Sequence, residues 1–286
     1  QVIAALEAGK HVSCQKPMCV SVAEADEIIA AVNRAKTWYR VTENFIYYPP
    51  IVKAKELLDS GAIGEPSLVR IHTTRGSRPQ DPSIIHTRDA LAWQRRNPDL
   101  VPAGQMYRES GRHLGIPFDD GVHGYSAIMK WVGDIEKVQA IITKTEDYLI
   151  EAPSTIIWKF KDRDCLGIYD YTYASEMIVR GMHGRSDNYF EIHGSKGAIH
   201  VTRCTGEMMD LPPVMLLTGT ETITYPEVSS DWLESFKWAN FDFIDSIIED
   251  RQPDLDAEFS KKTIQVAMAA YEAARTEGAV EVESMR

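Results

Sequence analysis

The sequence predicts an α/β chain in two parts: a short parallel sheet with its helices, then a longer α+β part built on a largely antiparallel, open-faced sheet with flanking helices. Three observations carry this expectation. The first ~45 residues alternate helix, strand, helix, strand, as the units of a parallel sheet do. After Pro66, strand-like runs follow one another across short polar turns, the habit of antiparallel strands. Two helical stretches separated by Pro253 finish the chain.

Each element has a local reason. "VIAALEAGK" has helical periodicity and stops at Gly9-Lys10. "HVSC" is a short buried strand. "SVAEADEIIAAVNRAK" opens with Ser21 three residues before Glu24, the spacing of a capping box, and repeats Val22, Ala25, Ile28, Ile29 and Val32 at helical intervals. "WYRVTENFIYYPP" reads as a strand halted by Pro49 and Pro50. "IVKAKELLDSGAIGEP" is a helix closed by Gly61, and "SLVRIHTTRG" begins the strand-rich region. Ser77 to Gly115, with Trp93 and several arginines, reads as a long functional loop. A helix at "IMKWVG" precedes strands at "IEKVQAIITKT", "STIIWKFKD", "DCLGIYDYTYA", "NYFEIHGSKGAIHV" and "TITYP". Gly194, Lys196 and Gly197 make a hairpin turn with no chemical role.

Composition narrows the class. With 286 residues, 44% hydrophobic and 26% charged, the chain is long enough for one large domain or two ordinary ones. The formal net charge of -11, with no basic stripe, argues against nucleic acid as a partner. No apolar run approaches the ~20 residues of a membrane span. Cys14, Cys19, Cys165 and Cys204 have neither CxxC spacing nor a paired framework, so they read as reduced residues of a cytoplasmic protein.

Two places carry chemistry. Lys16 stands beside Pro17 just past the first strand, where α/β proteins place active-site residues, and the X-Pro bond there can be cis. Asp119 and His123 are four residues apart in "FDDGVHGYSAIMKWVGD", so one helix would project both from one face. A carboxylate orienting an imidazole suits proton transfer near neutral pH. Each has a plainer reading when taken alone: a surface lysine in a βα loop, and a helix capped by Asp119 or Asp120 with one interior histidine. A metal site from His113, Asp119 and His123 lacks any spacing that would fix its ligand geometry, so no metal is expected.

Taken together, "ALEAGKHVSCQKPM" and, some hundred residues on, "DDGVHGYSAIMKWVGDIEKV" resemble the Gfo/Idh/MocA oxidoreductase family, whose segments read AL-x-x-GKHV-x-x-EKP and D-x-G-x-H. "YYPPIVKAKELLDSGAIGEPSLVRIH", "EIHGSKGAIHV" and the closing helices with "IEDRQP" extend the resemblance over nearly the whole chain. It implies that residues 1–46 are the carboxyl-terminal part of a Rossmann nucleotide-binding domain. Residues 47–286 are then an α/β substrate and oligomerisation domain. No GxGxxG occurs in the chain, which begins at Gln1, and on this resemblance we expect an N-terminally truncated form of a longer enzyme.

The resemblance further implies oxidation of a secondary hydroxyl on a sugar, cyclitol or glycoside, with NAD or NADP as cofactor. It carries Lys16, Asp119 and His123 over as the catalytic residues, with His123 as base, Lys16 polarising the oxygen and Asp119 supporting His123. Gln15, Lys16, Pro17 and Asn44 fall on the cofactor side; Tyr47, Trp93 and Arg95 are candidate substrate contacts. The partner is a small carbohydrate-type molecule, and a homo-oligomer through the open sheet face is expected. Two departures stand out: Gln15 replaces the family's glutamate, and Ser126 stands where a second aspartate is frequent. The alternative reading is a non-catalytic oligomerising or substrate-binding protein that has lost its cofactor domain.

Overall fold

The computed structural model describes residues 1–77, 115–143, 151–180 and 186–286. Helix α1 (Val2–Glu7) leads into strand β1 (Val12–Gln15), helix α2 (Val22–Arg34) and strand β2 (Tyr39–Thr42). β1 and β2 pair in parallel, Val12 opposite Tyr39 and Gln15 opposite Thr42. The predicted cap of α2 forms: Ser21 Oγ accepts the Glu24 N–H at 3.2 Å, and the Glu24 carboxylate accepts the Val20 N–H at 3.0 Å.

The strand predicted to run to Pro49 ends earlier, at Thr42. A 3₁₀ turn over Phe45–Tyr47 follows, and Pro49 and Pro50 open helix α3 (Pro49–Asp59) instead of closing a strand. Proline is tolerated in a first helical turn because its missing N–H has no partner there anyway.

Strand β3 (Pro66–Ser77), helices α4 (Ile116–Asp119) and α5 (Gly121–Trp131), and strands β4 (Ile135–Ile142), β5 (Ser154–Phe160), β6 (Leu166–Ile178), β7 (Ser186–Gly194), β8 (Gly197–Val201), β9 (Val214–Thr218) and β10 (Glu221–Thr224) come next. Helices α6 (Trp232–Ile248) and α7 (Ala257–Thr276) and strand β11 (Val280–Glu281) complete the chain. Nine of these strands form one sheet, in the order β10-β9-β8-β7-β3-β6-β5-β4-β11. Every neighbour is antiparallel except β3 and β6, which run parallel at the centre. The β7–β8 hairpin turns at Ser195-Lys196 between Gly194 and Gly197, as its sequence predicts.

One face of this sheet carries the core. Val138, Ile156, Trp158, Tyr169 and Phe190 are buried there, against α5 and α7. Trp158 lies opposite Gly167 on β6, and a Cβ at Gly167 would stand 1.9 Å from the indole, so only glycine admits the ring. The other face leaves Ile141, Ile157 and Leu166 exposed. Arg40 of β2, 1% exposed, ties the small sheet to α6: it donates to the Ala239 carbonyl and to Asn240 Oδ1 (2.7 Å), and lies 4.9 Å from the centre of the Phe243 ring. All four cysteines are free. Among the described residues no helix is long and apolar enough to cross a membrane.

Candidate active site

The carboxyl ends of β1 and β2 point toward the break between α4 and α5, and a cavity of about 300 Å³ opens between them. Gln15, Lys16, Asn44 and Phe45 line it from the parallel pair, Arg75 from β3, and Asp120 and His123 from the helices. Ser186, Asn188 and Thr205 form a further wall, with the rings of Trp232 and Phe236 beside them.

Lys16 follows β1 directly, and the Lys16–Pro17 peptide is cis. Its ammonium donates to the Asp119 carbonyl at 2.8 Å and to Asp119 Oδ1 at 3.2 Å, across 103 positions of sequence. Gln15 Oε1 accepts the Lys16 N–H at 2.9 Å, so the amide holds the backbone of the lysine and not its head group. Asn44 lines the cavity while its amide donates to Ser235 Oγ at 2.7 Å.

The expectation that Asp119 and His123 share a helix face is corrected. Asp119 ends α4, Asp120 breaks the helix, and His123 lies in the first turn of α5. Asp120 stands at the N-cap position of α5 without a side-chain cap bond, because its carboxylate pairs with Arg75 at 3.1 Å. Asp119 faces Lys16, so support of His123 falls to a residue that the sequence reading did not name, Glu43. Glu43 Oε1 meets His123 Nδ1, and the Phe45 ring stacks on the imidazole with centroids 4.4 Å apart and planes 13° from parallel. Glu43 sits one residue past β2 in "VTENF"; a carboxylate at the carboxyl end of a parallel strand is the signal that could have revealed it.

Other candidates lie elsewhere. Tyr47 faces a separate recess with Pro49, Val52 and Trp238, where its hydroxyl donates to Asp242 Oδ2 at 2.7 Å; burial and that carboxylate push the phenol far above its usual range. Trp93, Arg95 and His113 lie outside the described residues. Ser126 is buried and donates to the Val122 carbonyl at 2.7 Å, a bond within its own helix and not a cavity contact. Asp187 holds the far wall: its carboxylate accepts the N–H groups of Gly206 (3.2 Å) and Met208 (2.8 Å), which fixes the loop bearing Thr205 at φ 82°.

A lysine and an imidazole thus converge at the carboxyl ends of parallel strands, where open α/β sheets bind their ligands. The comparisons agree. Residues 1–43 match the model of an oxidoreductase family with an NAD-binding Rossmann fold, and residues 51–200 match the GFO/IDH/MocA C-terminal domain. D-apiose dehydrogenase of Rhizobium rhizogenes is 23% identical over 95% of this chain and 72% of its own length. Myo-inositol 2-dehydrogenase of Thermotoga maritima is 23% identical over 99% of the chain and 76% of its own. An oxidoreductase of Agrobacterium radiobacter, solved with NAD+, L-tartaric acid and magnesium, superposes with a TM-score of 0.77 at 20% identity, over 99% of this chain and 76% of that one. The chain belongs to the Gfo/Idh/MocA family of oxidoreductases, and its cofactor is a nicotinamide dinucleotide.

Proposed function

We propose that this protein oxidises a secondary hydroxyl of a sugar, cyclitol or glycoside. The observation that carries the reading is the delivery of Lys16 and His123, from segments about a hundred residues apart, to one cavity at the ends of the parallel strands. The names of the relatives, D-apiose dehydrogenase and myo-inositol 2-dehydrogenase, support the substrate class. In this account residues 1–46 serve as the carboxyl-terminal part of the nucleotide-binding domain and residues 47–286 as the substrate domain.

A nicotinamide dinucleotide held on the side lined by Gln15 and Asn44 would supply the hydride acceptor. A carbinol releases hydride only as its hydroxyl proton leaves, so a base must reach that proton. His123 is that base. Lys16 donates to the hydroxyl oxygen and stabilises its developing negative charge. Asp119 keeps the ammonium in place through its carbonyl and carboxylate. Gln15 and Asn44 flank the cofactor side, and Pro17 shapes the turn that presents Lys16. The Arg75–Asp120 pair offers both donors and acceptors to further hydroxyls, and Trp232 supplies an apolar ring surface.

A panel of aldoses, inositols and anhydrosugars offered with NAD+ or NADP+ to this chain and to a version extended upstream tests this, read as reduced nicotinamide. Substrate-dependent reduction is expected for at least one polyol; none with either cofactor would favour the non-catalytic binding protein. The exposed Ile141, Ile157 and Leu166 support a homo-oligomer built through the open sheet face, and light scattering showing a monomer at working concentration would reject that assembly.

A further inference from the structure

The cavity pairs its charged groups in a definite way. Asp119 serves Lys16, Asp120 serves Arg75, and Glu43 meets His123. We infer that Glu43 is the positioning residue of His123: it fixes the imidazole with its proton on Nδ1, so that Nε2 is the nitrogen that takes the substrate proton. The inference rests on the reading of His123 as the base.

The geometry assembles this from the chain upward. Past β2 the backbone turns, and the Glu43 side chain folds back so that Oε1 accepts the Phe45 N–H at 3.0 Å. That bond aims the same oxygen at His123 Nδ1. The Phe45 ring, carried by the same turn, stacks on the imidazole and fixes its plane. An ionised carboxylate only accepts hydrogen bonds, so Nδ1 carries the hydrogen and the neutral ring keeps its lone pair on Nε2. His123 lines the cavity, and Nε2 has no hydrogen-bond partner among the described residues.

Packing alone does not explain a glutamate here. Glu43 is 3% exposed, and its Oε2 is buried without a hydrogen-bond partner, a state that costs stability and that an apolar side chain would avoid. The carboxylate earns its place when the ring becomes positive on taking a proton, since a buried negative charge beside it is only weakly screened. Other ionisable groups set the surrounding field: Lys16, Asp119, Asp120 and Arg75 around the cavity, and Cys204 with Asp187 behind Glu43.

Nitrogen-15 spectroscopy of the histidine rings in the full chain tests the assignment without any turnover, with His123→Asn identifying the signal. The neutral ring of His123 is expected as the Nδ1–H form in the wild type. Glu43→Gln retains that form, because the Phe45 N–H still steers the amide oxygen; Glu43→Met loses it. In kinetics, Glu43→Met lowers kcat on the order of 10²–10⁴-fold with KM little changed, as losing the correct tautomer does elsewhere. Glu43→Gln loses about tenfold, a smaller effect because the amide oxygen still orients the ring. A wild-type ring protonated on Nε2, or a Glu43→Met protein that keeps the Nδ1–H form, overturns the inference even if polyols are oxidised. An Nδ1–H ring that depends on Glu43 upholds it, even if the polyol panel fails and the proposed activity falls.

Discussion

Strand β1 of the parallel pair and strand β5 of the nine-stranded sheet use their residues in different ways. Along β1 the side chains alternate between half-buried and exposed, and none is fully buried. Along β5, Ser154, Ile156, Trp158 and Phe160 are all buried, with polar or exposed residues between them. The charged groups of the site come from the ends of β1 and β2, the helix break at Asp120 and the carboxyl end of β3, while Trp158, Phe160, Tyr169 and Phe190 lie buried on the core face of the wide sheet. In the proposed account, reactivity sits at the margins of elements whose centres supply the stability. A substitution in one region is expected to leave the other largely intact.

The largest stability effect should come from Trp158→Ala. The indole is 1% exposed and fills the space above Gly167, so its loss is expected to cost about 3–5 kcal/mol in denaturant unfolding. The part still folded should retain its rate per active molecule; a specific loss of kcat would join the two regions more closely than this comparison allows. Asp256→Ala is a milder probe. Asp256 Oδ1 accepts the Phe259 N–H at 2.7 Å and caps α7, and losing that cap should cost about 1 kcal/mol without altering KM.

The smallest effect is a pH slope from the open face. Burial lowers the titration of His200 below its usual value of about 6.5, against the opposing pull of Glu191. The unfolded chain then binds the proton more readily than the folded one, so stability falls as pH drops through about 6.5 and levels off below the folded value. His200→Gln should flatten that part of the stability curve, read as melting temperature against pH. An unchanged slope would show that the ring titrates alike in both states.

Features whose cause is local could be read from the sequence. Ser21 and Glu24 announce their helix because the cap closes within one turn. The hairpin at Ser195-Lys196 declares itself through its glycines. Lys16 and His123 were legible because each lies in a short motif that a family resemblance could align. Glu43 was not, since its partner is 80 positions away and nothing nearby in the sequence marks the contact. For the same reason Asp119 looked like the partner of His123 until the break at Asp120 turned it toward Lys16. β9, the "VMLLT" run after Pro212-Pro213, escaped notice because five residues show too little alternation. The parallel β3–β6 contact joins strands far apart in sequence, a pairing that short turns cannot announce.

The most direct test of the account is Lys16→Met, measured as the rate of nicotinamide reduction by a polyol beside the melting temperature of the same protein. Lys16 pairs with a half-exposed carboxylate, and such a pair contributes about 0–1 kcal/mol, so the melting temperature should hardly move. The rate should fall about 10³-fold through loss of the group that stabilises the developing alkoxide. A variant that keeps its rate, or that loses rate only because it unfolds, would contradict a catalytic site at the end of β1.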